Sequence, residues 1–267
     1  LPGTPYVTGA DAFLGADMSI AVVFGSGPGV LAAQGWTKRP GEVLVAINNA
    51  WRVRPDWDWL IHPEDFPADR HPGTLLPGQQ IATAQDYVPI QNSFGGFVYG
   101  GGTMAFTAAY WALGALRPRV IAMIGCDMVY PTSGNTHFYG TGTADPLRDD
   151  ITLRSLEAKS ARLMVLAARQ GCAVVNLSSA KESRLIYPRA GRGDLHALRA
   201  QAYDPLKIDA ALRAERDADY IVPSGRYWEC EDRFDPAVID RIDALWLDTA
   251  ADALDCMSAK RRSLARR

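Results

Sequence analysis

The chain has 267 residues, of which 48% are hydrophobic and 22% charged, and its formal charge is -2 at neutral pH. That composition can bury a full core and excludes disorder over most of the length. The near-balanced charge excludes nucleic acid as the main partner, because such partners demand a broad basic face.

Residues 1–17 are rich in Gly, Pro and Ala without periodicity and read as an N-terminal arm, with the domain starting at Met18-Ser19-Ile20. Ala21 to Phe24 is a short apolar run of strand type, followed at once by Gly25-Ser26-Gly27-Pro28-Gly29. Val43 to Ile47 is a second strand closed by Asn48-Asn49, and Trp59 to His62 a third closed by Pro63. The stretch from Pro67 to Gly78 is loop-rich, and Gly95-Gly96 and Gly100-Gly101-Gly102 frame an aromatic step. A helix is expected from Thr103 to Leu116, ended by Pro118. Val120 to Ile124 reads as a buried strand leading into Gly125-Cys126-Asp127, and Pro131 to Asp150 as a long loop. The clearest helix follows, capped by Asp150 or Thr152, with Leu153, Leu156, Leu163 and Leu166 on its apolar side and Gly171 at its end. Ala173 to Leu177 is the next strand.

Strands alternating with helices predict a Rossmann-like parallel sheet with helices on both faces over residues 18–190. After a boundary near Gly191 to Gly193 the chain turns charged and helical, with aromatic outliers at Tyr227-Trp228 and Trp246. Residues 191–267 are therefore expected to form a helical C-terminal appendage, packed on the core or on another subunit of a homo-oligomer. Its basic end, Lys260-Arg261-Arg262 with Arg266-Arg267, reads as a solvated helix terminus. Cys126, Cys172, Cys230 and Cys256 show neither C-x-x-C nor zinc spacing. Cys126 and Cys172 read as buried free thiols, which points to a reducing, cytoplasmic setting. No apolar run reaches transmembrane length, and the N-terminus lacks the pattern of a secretory signal.

Ligands of open α/β sheets sit beyond the carboxyl ends of the strands, which ranks the candidate residues. Gly25, Ser26, Gly27, Pro28 and Gly29 follow the first strand directly, where backbone N–H groups can approach a phosphate; the plainer reading is an ordinary strand-to-helix turn. The full G-x-G-x-x-G fingerprint is absent because Val30 stands at its third step. Asn48 and Asn49 can hydrogen-bond a ribose or base edge, or simply cap a loop. His62 ends the third strand as a catalyst or as a satisfied structural residue, and Asp127 can orient a ligand or cap its turn. In the long loop, Thr136 to Gly142 combines His137, a candidate general base, with the Tyr139 hydroxyl and flexible glycines. Asp56-Trp57-Asp58 matches the D-x-D pattern that holds metal in many glycosyltransferases. It precedes its strand and points away from the ligand edge, so no metal and no cofactor are assigned.

In this order the motifs resemble the bacterial sialyltransferases of glycosyltransferase family 42, over roughly residues 20 to 180. The family's G-N-G-P-S turn matches Gly25 to Gly29, its nucleotide-contacting Asn matches Asn48, and its Asn-Pro step falls on His62-Pro63. Its S-G helix start matches Gly102-Thr103 before Ala112-Leu113-Gly114, and its S-G-I-D-F matches Ile124 to Met128. Its lid, S-H-Y-I-G-H, matches Thr136 to Thr141. The resemblance implies a variant GT-A fold, a CMP-linked sugar donor and metal-independent inverting transfer to a glycan or small-molecule acceptor. The turn here lacks the family's Asn and Ser. The lid histidine that serves as the family's base falls on Thr141, which leaves His137, or next His62, to take the proton and Tyr139 to bind the leaving phosphate. The alternatives are a non-catalytic nucleotide-binding or assembly module of the same fold, and a small-molecule diphosphokinase-like transferase.

Overall fold

The computed structural model describes residues 20–264, with side chains as far as Ala251. The expected arm at 1–17, the start at Met18-Ser19 and the basic side chains from Lys260 onward lie outside that description. Apolar strands buried on both faces make parallel sheets, and β1 (Ile20–Phe24), β2 (Glu42–Ile47) and β5 (Val120–Ile124) are buried at every residue. With β3 (Trp59–Ile61), β4 (Gln80–Ala82) and β6 (Ala173–Asn176) they form one all-parallel sheet in the order β4-β3-β2-β1-β5-β6. The chain works outward from β1 to β4, then returns to the other side of β1 with β5. The reversal opens a crevice above the carboxyl ends of β1 and β5.

Alternating strand residues feed two cores. Ala21, Val23, Val45, Ile61, Ile121 and Met123 face α1 (Ala84–Ser93), α3 (Met104–Trp111) and α4 (Leu156–Arg169). Val22, Phe24, Leu44, Ala46, Ala122 and Ile124 face the other way. That second face is covered by short 3-10 segments at 28–35, 48–53 and 192–197 rather than by the expected α-helices. The connection from β1 to β2 carries Pro28 and Gly29 at the start of its helical segment and Pro40 and Gly41 at its end, residues that disfavour a continuous α-helix.

Two of the expected helix details change. The helix begun by Thr103, whose hydroxyl accepts from Phe106 N–H at 3.3 Å, ends in a π-helical turn at Ala112–Leu116. Asp150 caps a 3-10 turn at Ile151–Leu153, accepting from Thr152 N–H at 2.8 Å, while Ser155 caps α4. The strand β4 and the helices α1 and α2 (Phe97–Gly100) are additions to the sequence reading.

The segment after Gly191 is packed on the sheet domain. Leu195 joins the second core, and Ile208, Ala211, Tyr227, Ile239 and Trp246 join the first. Arg162 of α4 forks onto Glu215 of α5 (Pro205–Ala218) at 2.6 and 2.7 Å and donates to Tyr110 Oη at 2.7 Å. Trp246, on α6 (Pro236–Leu264), donates its indole N–H to the same carboxylate at 2.7 Å. Lys159 pairs with Asp243 at 2.7 Å, with both side chains buried. Removing one partner of a buried ion pair leaves the other charge without compensation. Glu215→Leu should therefore lower stability by about 3–5 kcal/mol in urea unfolding; a loss below about 1 kcal/mol, the scale of an exposed pair, would show the pair to be dispensable.

Candidate functional site

The crevice at the sheet reversal is a cleft of about 1250 Å³. Its floor is the glycine turn after β1 and the Gly125-Cys126-Asp127 turn after β5. One side is reached from β6 through Ala180, Lys181 and Glu182; the opposite side comes from the ends of β3 and β4 through Glu64, Asp65, Tyr87 and Val88. Phe97, Gly102, Thr103, Met104 and Thr107 add a wall, and the C-terminal segment adds Arg226, Tyr227 and Trp228. Gly25, Ser26, Gly27, Pro28, Gly29, Asn48, Gly102, Thr103, Asp127 and His137 all line this one cavity.

The glycine turn is shaped by packing as well as by any ligand. Gly25 N–H donates to Ile124 O and Gly27 N–H to Gly125 O, both at 2.8 Å. A Cβ on Gly27 would stand 2.9 Å from Gly125 O, so both glycines are needed for the approach of two backbones. Pro28 has no N–H, and the N–H groups of Ser26 and Gly29, two residues that line the cleft, take no part in the backbone contacts of the turn. Gly29 has open space around it, the nearest atom to an added Cβ being Ser178 Oγ at 3.9 Å. Asn48 adopts φ 50°, which Asn tolerates, and its side-chain carbonyl is buried without a hydrogen-bond partner. Asp127 accepts from Asn176 Nδ2 at 2.9 Å and lies 3.8 Å from Arg189.

The long loop is fastened to the floor, Phe138 N–H donating to Ser26 O at 2.9 Å. A tight turn holds His137, whose N–H donates to Gly140 O at 2.9 Å. Thr136 Oγ1 lies 2.8 Å from His137 Nδ1, 2.8 Å from Gly142 N and 3.1 Å from Gly142 O. A hydroxyl has one proton and two lone pairs. All three contacts are satisfied together only if Thr136 donates to Gly142 O and accepts from Gly142 N–H and from His137 Nδ1–H. That tautomer leaves Nε2 with a free lone pair. Burial holds the imidazole below the usual histidine range, with the charge of Asp145 opposing it in part.

Four expected site residues lie elsewhere. Tyr139 is 42% exposed and stacks on His137 at 5.1 Å, outside the cleft; Tyr130, 5.9 Å from His137, lines it instead. Thr141 turns outward, donating to Gly134 O at 3.4 Å. His62 is buried against Phe66 and His71, with Nδ1 2.9 Å from Pro63 O. Asn49 is buried beneath its loop and does not reach the cleft. At the opposite sheet edge, Asp56 binds Arg54 at 2.6 Å, and Asp58 binds Lys38 at 2.6 Å and Leu44 N–H at 2.7 Å, so both carboxylates of the D-x-D match are structural.

Several cleft residues were not among the site candidates read from the sequence. Asp150 accepts from Tyr227 Oη at 2.8 Å, Thr152 Oγ1 at 2.5 Å and Arg148 Nε at 2.9 Å. Burial pushes its carboxyl up, but the hydrogen bonds from Thr152 and Tyr227 and the charge of Arg148 outweigh that and leave it below the usual range. Arg148 also donates to Gly102 O at 3.2 Å and to Tyr227 Oη at 3.0 Å. Among the described residues, Glu64, Asp65, Asp127, Asp145, Asp149, Asp150, Glu182 and Glu231 line the cleft against Arg148, Lys181 and Arg226 as cations. Among the described residues, no cluster of three His, Cys, Asp or Glu side chains has the geometry to hold a metal ion. No family model, curated protein or solved structure matches the chain.

The His137 geometry is open to nitrogen-detected NMR. Above neutral pH, Nδ1 should carry the proton and Nε2 none, and the ring should become doubly protonated only below the ordinary histidine value of about 6.5. A bare Nδ1, or titration above that value, contradicts the arrangement.

Proposed function

We propose that this chain transfers a sugar from a nucleotide-linked donor to an acceptor hydroxyl, with inversion and without a divalent metal. One observation carries the reading: the glycine turn and His137, whose Nδ1 lies 2.8 Å from Thr136 Oγ1, line the same cleft. The amides of Ser26 and Gly29 bind a donor phosphate, and the Asn48 carbonyl accepts from a ribose hydroxyl or a base amino group. Lys181 borders this end from the turn after β6 and has no ion pair among the described residues. Its ammonium supplies charge to the leaving phosphate in place of a metal. Two amides and one ammonium complement a single phosphate better than a diphosphate, in keeping with a CMP-type donor.

The acceptor oxygen attacks the anomeric carbon as the bond to the donor phosphate breaks. The electron pair of that bond leaves on the phosphate oxygen, and the acceptor proton passes to Nε2 of His137. Thr136 holds the ring through Nδ1, and the stacked Tyr139 keeps its orientation.

Gly29→Asp places a carboxylate at the phosphate end without a steric clash. It should weaken cytidine monophosphate binding at least tenfold by calorimetry while Gly29→Ala binds as the wild type; equal binding by all three removes the turn from the site. His137→Ala should lower sugar-nucleotide turnover on the order of a hundredfold with nucleotide affinity intact. Turnover abolished by EDTA and restored by manganese would overturn the metal-free step. A wild type that binds the nucleotide but consumes no sugar-nucleotide, even by hydrolysis, establishes the binding-module alternative.

A further inference from the structure

The cleft has a second end whose chemistry differs from the phosphate end. It lies toward β3 and β4, where Gly225 packs on Phe97 and Val88, and Arg226 reaches Glu64 at 3.3 Å. Trp228 lines this end with 58% of its surface open, an unusual condition for so large an apolar ring. Its ring meets Tyr227 edge-on at 5.3 Å and 78°. Tyr227 lies nearly parallel to Phe97 at 6.5 Å and is pinned through its hydroxyl by Asp150 and Arg148.

We infer that this end is an acceptor subsite for a neutral saccharide, with Trp228 as the platform for one sugar ring. The inference rests on the transferase reading above. A sugar ring offers an apolar C–H face to an aromatic surface and a rim of hydroxyl donors to whatever surrounds it. A rigid exposed aromatic ring supplies the first complement with little ordering cost. Asp65 and Glu231, which line the same cleft as Trp228, supply the second, since carboxylates only accept hydrogen bonds. The same carboxylates repel an acidic sugar, and Arg226, two residues before Trp228, is already shared between Glu64 and Glu229. An acyl chain is disfavoured because covering these carboxylates without hydrogen bonds would strip their water for nothing in return.

The test uses the full chain without nucleotide. Binding of lactose, chitobiose and an anionic hexuronate disaccharide is followed by saturation-transfer NMR and calorimetry. At least one neutral disaccharide should bind, and the hexuronate at least tenfold more weakly. Trp228→Ala should weaken the neutral ligand tenfold or more and Trp228→Phe less than threefold. The unfolding midpoint should stay unchanged in both, since the ring is exposed. Asp65→Asn with Glu231→Gln should narrow the gap between neutral and anionic ligands. Failure of both neutral disaccharides, equal binding of the hexuronate, or unaltered binding by Trp228→Ala each overturns the inference. Because nucleotide is absent from this experiment, its failure is separate from that of the Gly29→Asp test, which judges the donor end alone.

Discussion

The contact on which the cleft depends is backbone against backbone, Gly25 and Gly27 lying on Gly125. Gly27 N–H donates to Gly125 O at 2.8 Å, and Gly125 itself sits at φ 70° with its Cα turned against Val30. Side chains here would drive apart the turns that follow the two central strands. With none, the turns close into one floor, and the crevice of the sheet reversal acquires a bottom. The same contact consumes two of the turn's amides, so the glycine richness has a structural cause before it has a ligand. What remains for a ligand is narrower than the motif alone implies: two N–H groups, facing a cleft whose other walls are rich in carboxylates.

That distinction explains what was legible in the sequence. The strands β1, β2, β5 and β6 announce themselves because burial on both faces demands unbroken apolar runs. β4 does not, since three residues at a sheet edge with a half-exposed Gln80 carry no pattern. The helix α1 is hidden by Pro89 in its interior and by polar residues on most of its surface, although Thr83 and Asp86 form a capping box at its start. Floor residues were readable for a topological reason: the carboxyl ends of parallel strands share one edge, so Gly27, Asn48 and Asp127 had to meet. His62 obeys the same rule and still misses the cleft, because Phe66 and His71 offer its ring a closer apolar partner. Strand position places a Cα; it does not aim a side chain.

The walls obey no such rule. Arg148, Asp150 and Tyr227 meet through hydrogen bonds between segments far apart in the chain, and no local pattern marks a residue that acts in this way. The long loop is intermediate. Its length and aromatic-glycine content identified it as a cover, and it is fastened through Phe138 N–H to Ser26 O. Which of its side chains faces inward was decided by the turn at His137–Gly140, which turns His137 in and leaves Tyr139 and Thr141 outside.

The C-terminal helices join these observations. Arg162 and Lys159 are buried on α4, and their countercharges, Glu215 and Asp243, come from α5 and α6. Without those helices the two cations would lose their countercharges together with the cover that buries them, and the apolar side chains packed under Ile239 and Trp246 would meet water. The chain that supplies the countercharge must pass from α5 to α6, and it does so across the open end of the cleft, carrying Tyr227 and Trp228 with it. The ion pairs inside and the aromatic wall outside are thus two consequences of one path. A change in the docking of α5 and α6 would move the wall before it touched the glycine floor, which allows the two ends of the cleft to vary separately: the floor is held by backbone that tolerates no side chain, and the wall by side chains free to change their partners.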